Sequence, residues 1–417
     1  MRRSRIDSFI MEQEGLQTLN RKDIEAVQLE KLNRVLASEK KRDGFYRNLP
    51  ERLNTLSELK ELPFTTEEDL AQHAAGLLLR SQAEIQRVLS DATSGTTGAA
   101  KRVFYTEGDC RNTVRLFMAG LGELVEPGSV TMICFPFSGP HGLGELISEA
   151  IEGLGAKPLK LGAGMSYGEY HRVMAEERPD TFVGMPVQLL SILRVCGTGS
   201  LERALVSGDA CPRAVINACE GLLGTALFPH YGSREMALGG AICCQAHEGM
   251  HLRENHVIAE IVDEAGNPLP PGETGELVIT TIGMEAMPLI RYRTGDYTRI
   301  LPTPCPCGSA VLRLDSVRAE KTAAGLYLSM ELTAQVNTTP DQALRFQLYP
   351  SWFDENGKEY PDGMDYGFGF NMDEWPHVRM DGMIASDGIP DRLWLQLVDD
   401  NAGPEDEPAP KVELNRQ

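Results

Sequence analysis

The stretch VTMICFPFSGPHGLGELISEAIEGL (130–154) decides the fold class. It opens with an apolar run, VTMICFPF (130–137), and continues into a helical pattern, GELISEAIEGL (144–154). The pairing recurs downstream. TFVGMP (181–186), RALVSG (203–208) and ALFPHYG (226–232) are short apolar runs, and GEYHRVMAEE (168–177) is another helical stretch. Strand runs that alternate with helices predict a layered α/β domain with much parallel sheet.

Upstream, residues 21–42 place Ile24, Val27, Leu29, Leu32, Val35 and Leu36 at helical spacing between charges, which predicts an amphipathic helix. In FTTEED, Thr65 followed by Glu68 predicts a capping box that opens a second helix. Downstream, HVIAEIVDEAGNPLP and GETGELVITTIG alternate with period two around Glu-Ala-Gly-Asn and Pro-Pro-Gly-Glu turns. They predict a small antiparallel β unit attached to the α/β layer. Residues 341–417 hold 17 acidic and 6 basic residues and all three tryptophans. Residues 402–410, AGPEDEPAP, predict a disordered acidic tail.

The 417 residues carry 40 basic and 60 acidic side chains, a net charge of −20. That balance argues against nucleic acid or an anionic membrane as partner, because most of the surface would repel either. No run reaches the roughly 18 apolar residues of a spanning helix. The start, MRRSRIDSFIMEQEG, lacks the apolar region of a secretory signal. Nine cysteines fit reduced thiols or metal ligands in a cytoplasm better than a disulfide framework.

SDATSGTTGAAKRV (90–103) carries the most chemistry. Thr93, Ser94, Gly95, Thr96, Thr97 and Gly98 offer hydroxyls and unhindered backbone N–H groups, and Lys101 adds a positive charge. Glycines that reach positive φ let successive N–H groups converge on one anion. The spacing is not that of GxxxxGK[ST].

With its TSGTTG-x-x-K string the chain resembles the adenylate-forming superfamily, in its phenylacetate–CoA ligase-like branch. LPFTTEEDL (62–70), YGSRE (231–235) and GETGELVITTIGMEAMPLIRYRTGDYTRI (272–300) resemble further motifs of that branch, in the expected order. The resemblance covers roughly residues 20–318, about three quarters of the chain. It implies a large layered α/β adenylation domain with a small antiparallel β unit (1–318). A smaller, divergent C-terminal lid domain (319–417) with an acidic Pro-rich tail (about 402–417) would follow it.

The resemblance also implies a reaction. ATP and a carboxylic acid form an acyl-adenylate, and coenzyme A then displaces AMP. The loop residues with Lys101 would hold the β- and γ-phosphates, and Glu235 would ligate Mg²⁺. Asp296 would accept both ribose hydroxyls. Tyr231 would flank the adenine, with Gly232 and Ser233 beside it, and Gly232 would allow close approach of the nucleotide. Gly208 and Asp209 occupy the place of the adenine-contacting loop. The acid would sit near FPFSGPHGLGEL (135–146) and VGMP (183–186), with His141 and Gly142 as pocket residues. By analogy a homodimer would be unsurprising.

Cys305-Pro-Cys307 is a two-thiol knuckle, and Cys243, Cys244, His247 and His251 lie upstream of it. Such a set can close a tetrahedral structural Zn²⁺ site, with Cys244, Cys305, Cys307 and either His247 or His251 as ligands. Members of the same branch carry a similar Cys…His…CPCG arrangement.

The resemblance breaks after YRTGD. The family's hinge and lid lysine are not recognisable. Ala319-Glu320 stands where Gly-Arg is expected, with Arg318 and Lys321 as neighbours, and only Lys358 and Lys411 lie in the last 90 residues. Two other functions therefore stand beside the acid–CoA ligase. One is an adenylating enzyme that serves another thiol or amine. The other is a nucleotide-binding protein without catalysis.

Overall fold

A computed structural model describes residues 2–91, 101–162, 164–208 and 213–317, and beyond them the backbone of eight strands between 325 and 415. Thr93 to Gly98, Asp209, Arg318, Lys321 and Lys358 lie outside the described residues.

The first helices are α1 (Arg5–Glu14), α2 (Arg21–Lys40) and α3 (Glu67–Leu77). Asn20 caps α2 in a reciprocal box with Asp23, and Ile24, Leu32, Val35 and Leu36 form its buried stripe. The box that opens α3 lies one residue later than the sequence predicts. Thr66 and Asp69 make it. Thr65 is instead buried, and its hydroxyl donates to the Ile290 carbonyl at 2.7 Å. Both threonines have an acidic residue three positions on, so only a contact 225 residues away separates them.

A hairpin follows, β1 (Ile85–Asp91) with β2 (Lys101–Thr106), and then α4 (Glu107–Leu121). The layered domain comprises β3 (Val130–Ile133), α5 (Leu143–Gly153), β4 (Lys157–Lys160), α6 (Tyr167–Glu177), β5 (Thr181–Gly184), α7 (Pro186–Cys196), β6 (Arg203–Val206), α8 (Arg213–Leu223) and β7 (Phe228–Tyr231). All four apolar runs read from the sequence contain strands of one sheet. Three short strands extend it: β8 (Ala241–Cys243), β9 (Met250–Leu252) and β13 (Arg313–Leu314). The strand order is β13-β9-β8-β7-β6-β5-β3-β4. From β4 to β7 neighbours run parallel, and from β7 to β13 they run antiparallel.

Alternate residues of the parallel strands enter two different cores. Ile133, Phe135, Val183 and Leu205 pack in a cluster with residues of α4 and α5. Met132, Cys134, Phe182, Ala204 and Val206 pack with residues of α6, α7 and α8. Side chains of a strand point to opposite faces, so a sheet covered on both sides needs continuous apolar runs.

The antiparallel unit is β10 (Val257–Val262), β11 (Gly275–Thr281) and β12 (Tyr292–Thr298), in that order. The predicted Glu-Ala-Gly-Asn turn closes with the Gly266 N–H on the Asp263 carbonyl. One expectation changes. The period-two reading implied a half-exposed β11, yet all seven of its residues are buried.

After Leu314 the chain leaves the large sheet. Among the described residues the C-terminal strands pair only with one another. Gly325–Thr333 pairs with His377–Ala385, and Ser351–Phe353, Glu359–Tyr360, Arg392–Gln396 and Lys411–Asn415 share a four-stranded antiparallel sheet. The disordered stretch expected over 402–410 lies outside the described residues, and Lys411–Asn415 follows it as a strand. The register sets Val412 opposite Leu395 and Leu414 opposite Leu393, an apolar alternation that the neighbouring Pro-rich run obscures. Among the described residues no helix is long and apolar enough to cross a membrane.

Candidate active site and metal centre

Three strands bring the predicted nucleotide residues of the described chain together. Lys101 begins β2, Tyr231 ends β7 with Glu235 in the helical turn just beyond it, and Asp296 lies in β12. Asp91 pairs opposite Lys101, so the ends of β1 and β2 that flank residues 92–100 are adjacent.

Lys101 Nζ lies 2.8 Å from Glu235 Oε1 and 3.3 Å from Glu67 Oε1. The Tyr292 hydroxyl donates to the same Glu235 oxygen at 3.5 Å. Burial acts to raise the Glu235 carboxyl, but the Lys101 charge and hydrogen bond outweigh it and hold it below the usual carboxylate range. Likewise, burial acts to lower the Lys101 ammonium, and Glu235 overrides that and holds it above the usual lysine range. Both groups are charged at neutral pH.

The Tyr231 hydroxyl donates to Asp296 Oδ2 at 2.6 Å. Burial raises the Asp296 carboxyl, and burial with the facing Asp296 charge raises the Tyr231 phenol. One carboxylate oxygen of Asp296 already holds a protein donor, leaving Oδ1 and the second lone pair of Oδ2 for a ligand.

Gly232 has a role that the sequence reading did not assign. A Cβ there would collide with the carbonyl of Leu238, so the close approach it permits is made by its own loop. The Ser233 carbonyl accepts the Leu238 N–H at 2.8 Å, and Ala237 and Leu238 adopt positive φ, which turns the chain back after Glu235. Gly208 has φ +83°, and a Cβ there would stand 2.8 Å from the Phe135 ring.

A cavity with an empty volume of about 660 Å³ opens beside these residues. Gly208 and Gly232 line it, and Leu116, Phe135, Leu143 and Val183 make its walls apolar. Parts of both stretches expected to hold the acid are thus present. His141 and Gly142 do not line the cavity. His141 is held by its backbone, with φ +62° and its carbonyl accepting from Arg87, while Gly142 is buried as the N-cap of α5.

Several positioning groups escaped the sequence reading. The Arg291 guanidinium donates to both oxygens of Glu260 at 3.0 Å, to the carbonyls of Lys60 and Leu62, and lies 4.1 Å over the Phe64 ring. It ties the segment before α3 to the β unit that carries Asp296. Glu67 and Tyr292 lie in quoted motifs, but nothing in their spacing points to Lys101 or Glu235.

The second cluster is Cys244, His251, Cys305 and Cys307, all buried, with one ligand atom from each within 4.8 Å of the others. Cys244 Sγ and Cys305 Sγ are 3.8 Å apart, and Cys307 Sγ and His251 Nε2 are 3.6 Å apart. Tetrahedral bonds of about 2.3 Å to sulfur and 2.1 Å to nitrogen give edges of about 3.8 and 3.6 Å, so this donor set fits Zn²⁺. The choice between the two histidines falls on His251. His247 Nδ1 instead lies 2.9 Å from the Leu227 carbonyl, and its ring packs edge-on against Phe228.

Comparison with known proteins agrees with this geometry. Residues 54–286 match the family described as AMP-binding enzyme. The phenylacetate-coenzyme A ligase of Thermus thermophilus is 32 % identical over 330 residues, covering 74 % of this chain and 73 % of the relative. The protein of that name from Escherichia coli (strain K12) is 30 % identical over 315 residues, covering 69 % of each chain. Among solved structures, 2-hydroxyisobutyryl-CoA ligase in complex with 2-HIB-AMP and CoA superposes with a TM-score of 0.65 at 22 % identity, covering 73 % of this chain and 69 % of that one. That likeness establishes the shared fold.

Proposed function

Because the chain belongs to the AMP-binding enzyme family, we propose that it activates a carboxylic acid with ATP as an acyl-adenylate and passes the acyl group to coenzyme A. The observation that carries this reading is the meeting of Lys101, Glu235, Tyr231 and Asp296 beside an apolar cavity.

In the first step an oxygen of the acid's carboxylate attacks the α-phosphorus of ATP. The bond from that phosphorus to the bridging oxygen breaks, and pyrophosphate leaves with the electron pair. In the second, the coenzyme A sulfur attacks the acyl carbon and AMP leaves, the thiol proton passing to solvent. Two anions must approach while charge grows on the leaving group, so fixed positive charge is the main requirement. Lys101 supplies it from the start of β2, next to the segment Thr93 to Gly98. Glu235 is a buried carboxylate of the kind that holds Mg²⁺, and the ion, when bound, screens the phosphate oxygens. Asp296, oriented by the Tyr231 hydroxyl, takes the ribose hydroxyls. The cavity receives the body of the acid and keeps water from the adenylate.

Cys244, His251, Cys305 and Cys307 hold a structural Zn²⁺ that ties β8 to the loop before β13 across the β unit. The adenylation core spans 1–318 and the C-terminal domain 319–417. None of the eight cysteines among the described residues is in a disulfide, which suits a reducing cytoplasm.

The test is pyrophosphate release from ATP with a panel of aryl and acyl acids, each with and without coenzyme A. Acid-dependent release that Lys101→Ala and Glu235→Ala abolish, with AMP release stimulated by coenzyme A, is the expected result. ATP binding without release for any acid would refute it.

A further inference from the structure

The cavity wall holds a polar pair for which adenylation has no use. His230 precedes Tyr231 in β7, and Ser207 follows β6, its parallel neighbour. Both line the cavity. Ser207 Oγ and His230 Nδ1 are 2.8 Å apart. Phe117 packs edge-on to the imidazole with centroids 6.1 Å apart. These contacts fix the ring, yet its other nitrogen, Nε2, is buried with no hydrogen-bond partner.

Burial pushes the imidazole down to about 4, so it is neutral at physiological pH, with one nitrogen a donor and the other an acceptor. A hydrocarbon acid filling this cavity would leave Nε2 unpaired and dry. Such an omission costs on the order of tenfold to a hundredfold in binding. Conversely, a pocket built to bond a substrate group rejects the analogue that lacks it far more strongly than it rejects a missing methylene. The wall has two other basic groups, and the buried Arg253 also has guanidinium nitrogens, Nε and Nη1, without a hydrogen-bond partner. His251 is in the thiol cluster, and Arg253, two residues on, donates to the Asn112 carbonyl and lies over the Phe9 ring.

We infer that the acid carries a hydroxyl, amino or carbonyl group on its apolar body, in addition to the reacting carboxylate, and that His230, oriented by Ser207, reads it. This rests on the adenylation proposed above.

The experiment measures pyrophosphate release by the full chain with matched acids. Benzoate, phenylacetate and 3-phenylpropanoate are compared with their hydroxy, amino, oxo and carboxy derivatives. Wild type, His230→Leu, His230→Gln and Ser207→Ala are assayed. Wild type should favour at least one hydroxy, amino or oxo derivative over its parent by about tenfold or more in kcat/KM. His230→Leu should shrink that ratio to below about threefold, chiefly through KM, and His230→Gln, which keeps a hydrogen-bonding end, should restore part of it. Should His230→Leu fail to melt cooperatively, the ratios of His230→Gln and Ser207→Ala decide.

A wild type that prefers the parent acids, or a ratio unmoved by these variants, overturns the inference and leaves adenylation standing. A preference for carboxy derivatives that survives His230→Leu also overturns it, and moves recognition to Arg253. Absence of release with every acid removes the adenylation itself and this inference with it.

Discussion

The half-buried Lys101 and the buried Glu235 form an ion pair, 2.8 Å apart, between the start of β2 and the turn after β7. On the function proposed above, the cation assigned to phosphate here neutralises the carboxylate assigned to Mg²⁺. Nucleotide with its metal therefore exchanges one pair for two, rather than meeting bare charges. The pair also has unequal partners, because Lys101 keeps Glu67 as a second, more exposed carboxylate.

That inequality predicts unequal variants. Lys101→Met strands a buried carboxylate and should cost about 3 kcal/mol of stability. Glu235→Gln leaves the lysine with Glu67 and should cost about 1 kcal/mol. Urea unfolding at neutral pH measures both, and equal costs would refute the asymmetry.

The same pair sets a pH dependence. The Glu235 carboxyl in the folded protein lies below its ordinary value of 4.5. The unfolded chain thus binds the proton first as pH falls, and the stabilisation is full above that value and lost below it. The stability gap between wild type and Glu235→Gln should be constant from pH 8 to about 6 and narrow from about pH 4.5 downward. A gap that widens in acid would reverse the sign.

Tyr231→Phe removes the hydroxyl that orients Asp296 and relieves no strain. It should raise the KM for ATP about tenfold with a smaller change in kcat. Asp296→Asn should raise it further, on the order of a hundredfold. ATP titration of pyrophosphate release at saturating acid separates the two, and an unchanged KM in Tyr231→Phe would show the bond to be idle.

Metal analysis of the purified chain should find about one zinc per chain. His251→Ala should weaken retention against a chelator by about tenfold or more, since even groups that merely support a ligand cost that much. His247→Ala should retain the metal like wild type. Loss in His247→Ala would place the wrong histidine in the site.

The fold was legible wherever a pattern is local. Four apolar runs between 130 and 232 contain strands of one sheet, and the hairpin turn at 263–267 is written in its own residues. Choices between equivalent neighbours were not. Thr65 and Thr66 both satisfy a capping box, and His247 and His251 both lie within reach of Cys244 along the chain. Each choice is made by a partner far away in sequence, Ile290 for Thr65 and Cys307 for His251. His141 drew notice through its glycine-rich setting, yet its backbone does the work there. His230 and Ser207 carry no local signal, because a strand residue and a loop serine acquire a shared role only when β6 and β7 lie side by side.

Strand β7 has a parallel neighbour on one side and an antiparallel neighbour on the other. The cavity lies at the carboxyl ends of β3, β5, β6 and β7, where open α/β sheets take their ligands. His230, Tyr231, Gly232 and Glu235 crowd into the end of β7 within six residues. A one-residue insertion or deletion in β7 would exchange the faces of His230 and Tyr231, disabling acid recognition and nucleotide binding in one stroke. New acid specificities are thus accessible only through the facing helices, at positions such as Leu116 of α4 and Leu143 and Ile147 of α5. Those side chains can change size without touching the strand on which the chemistry depends.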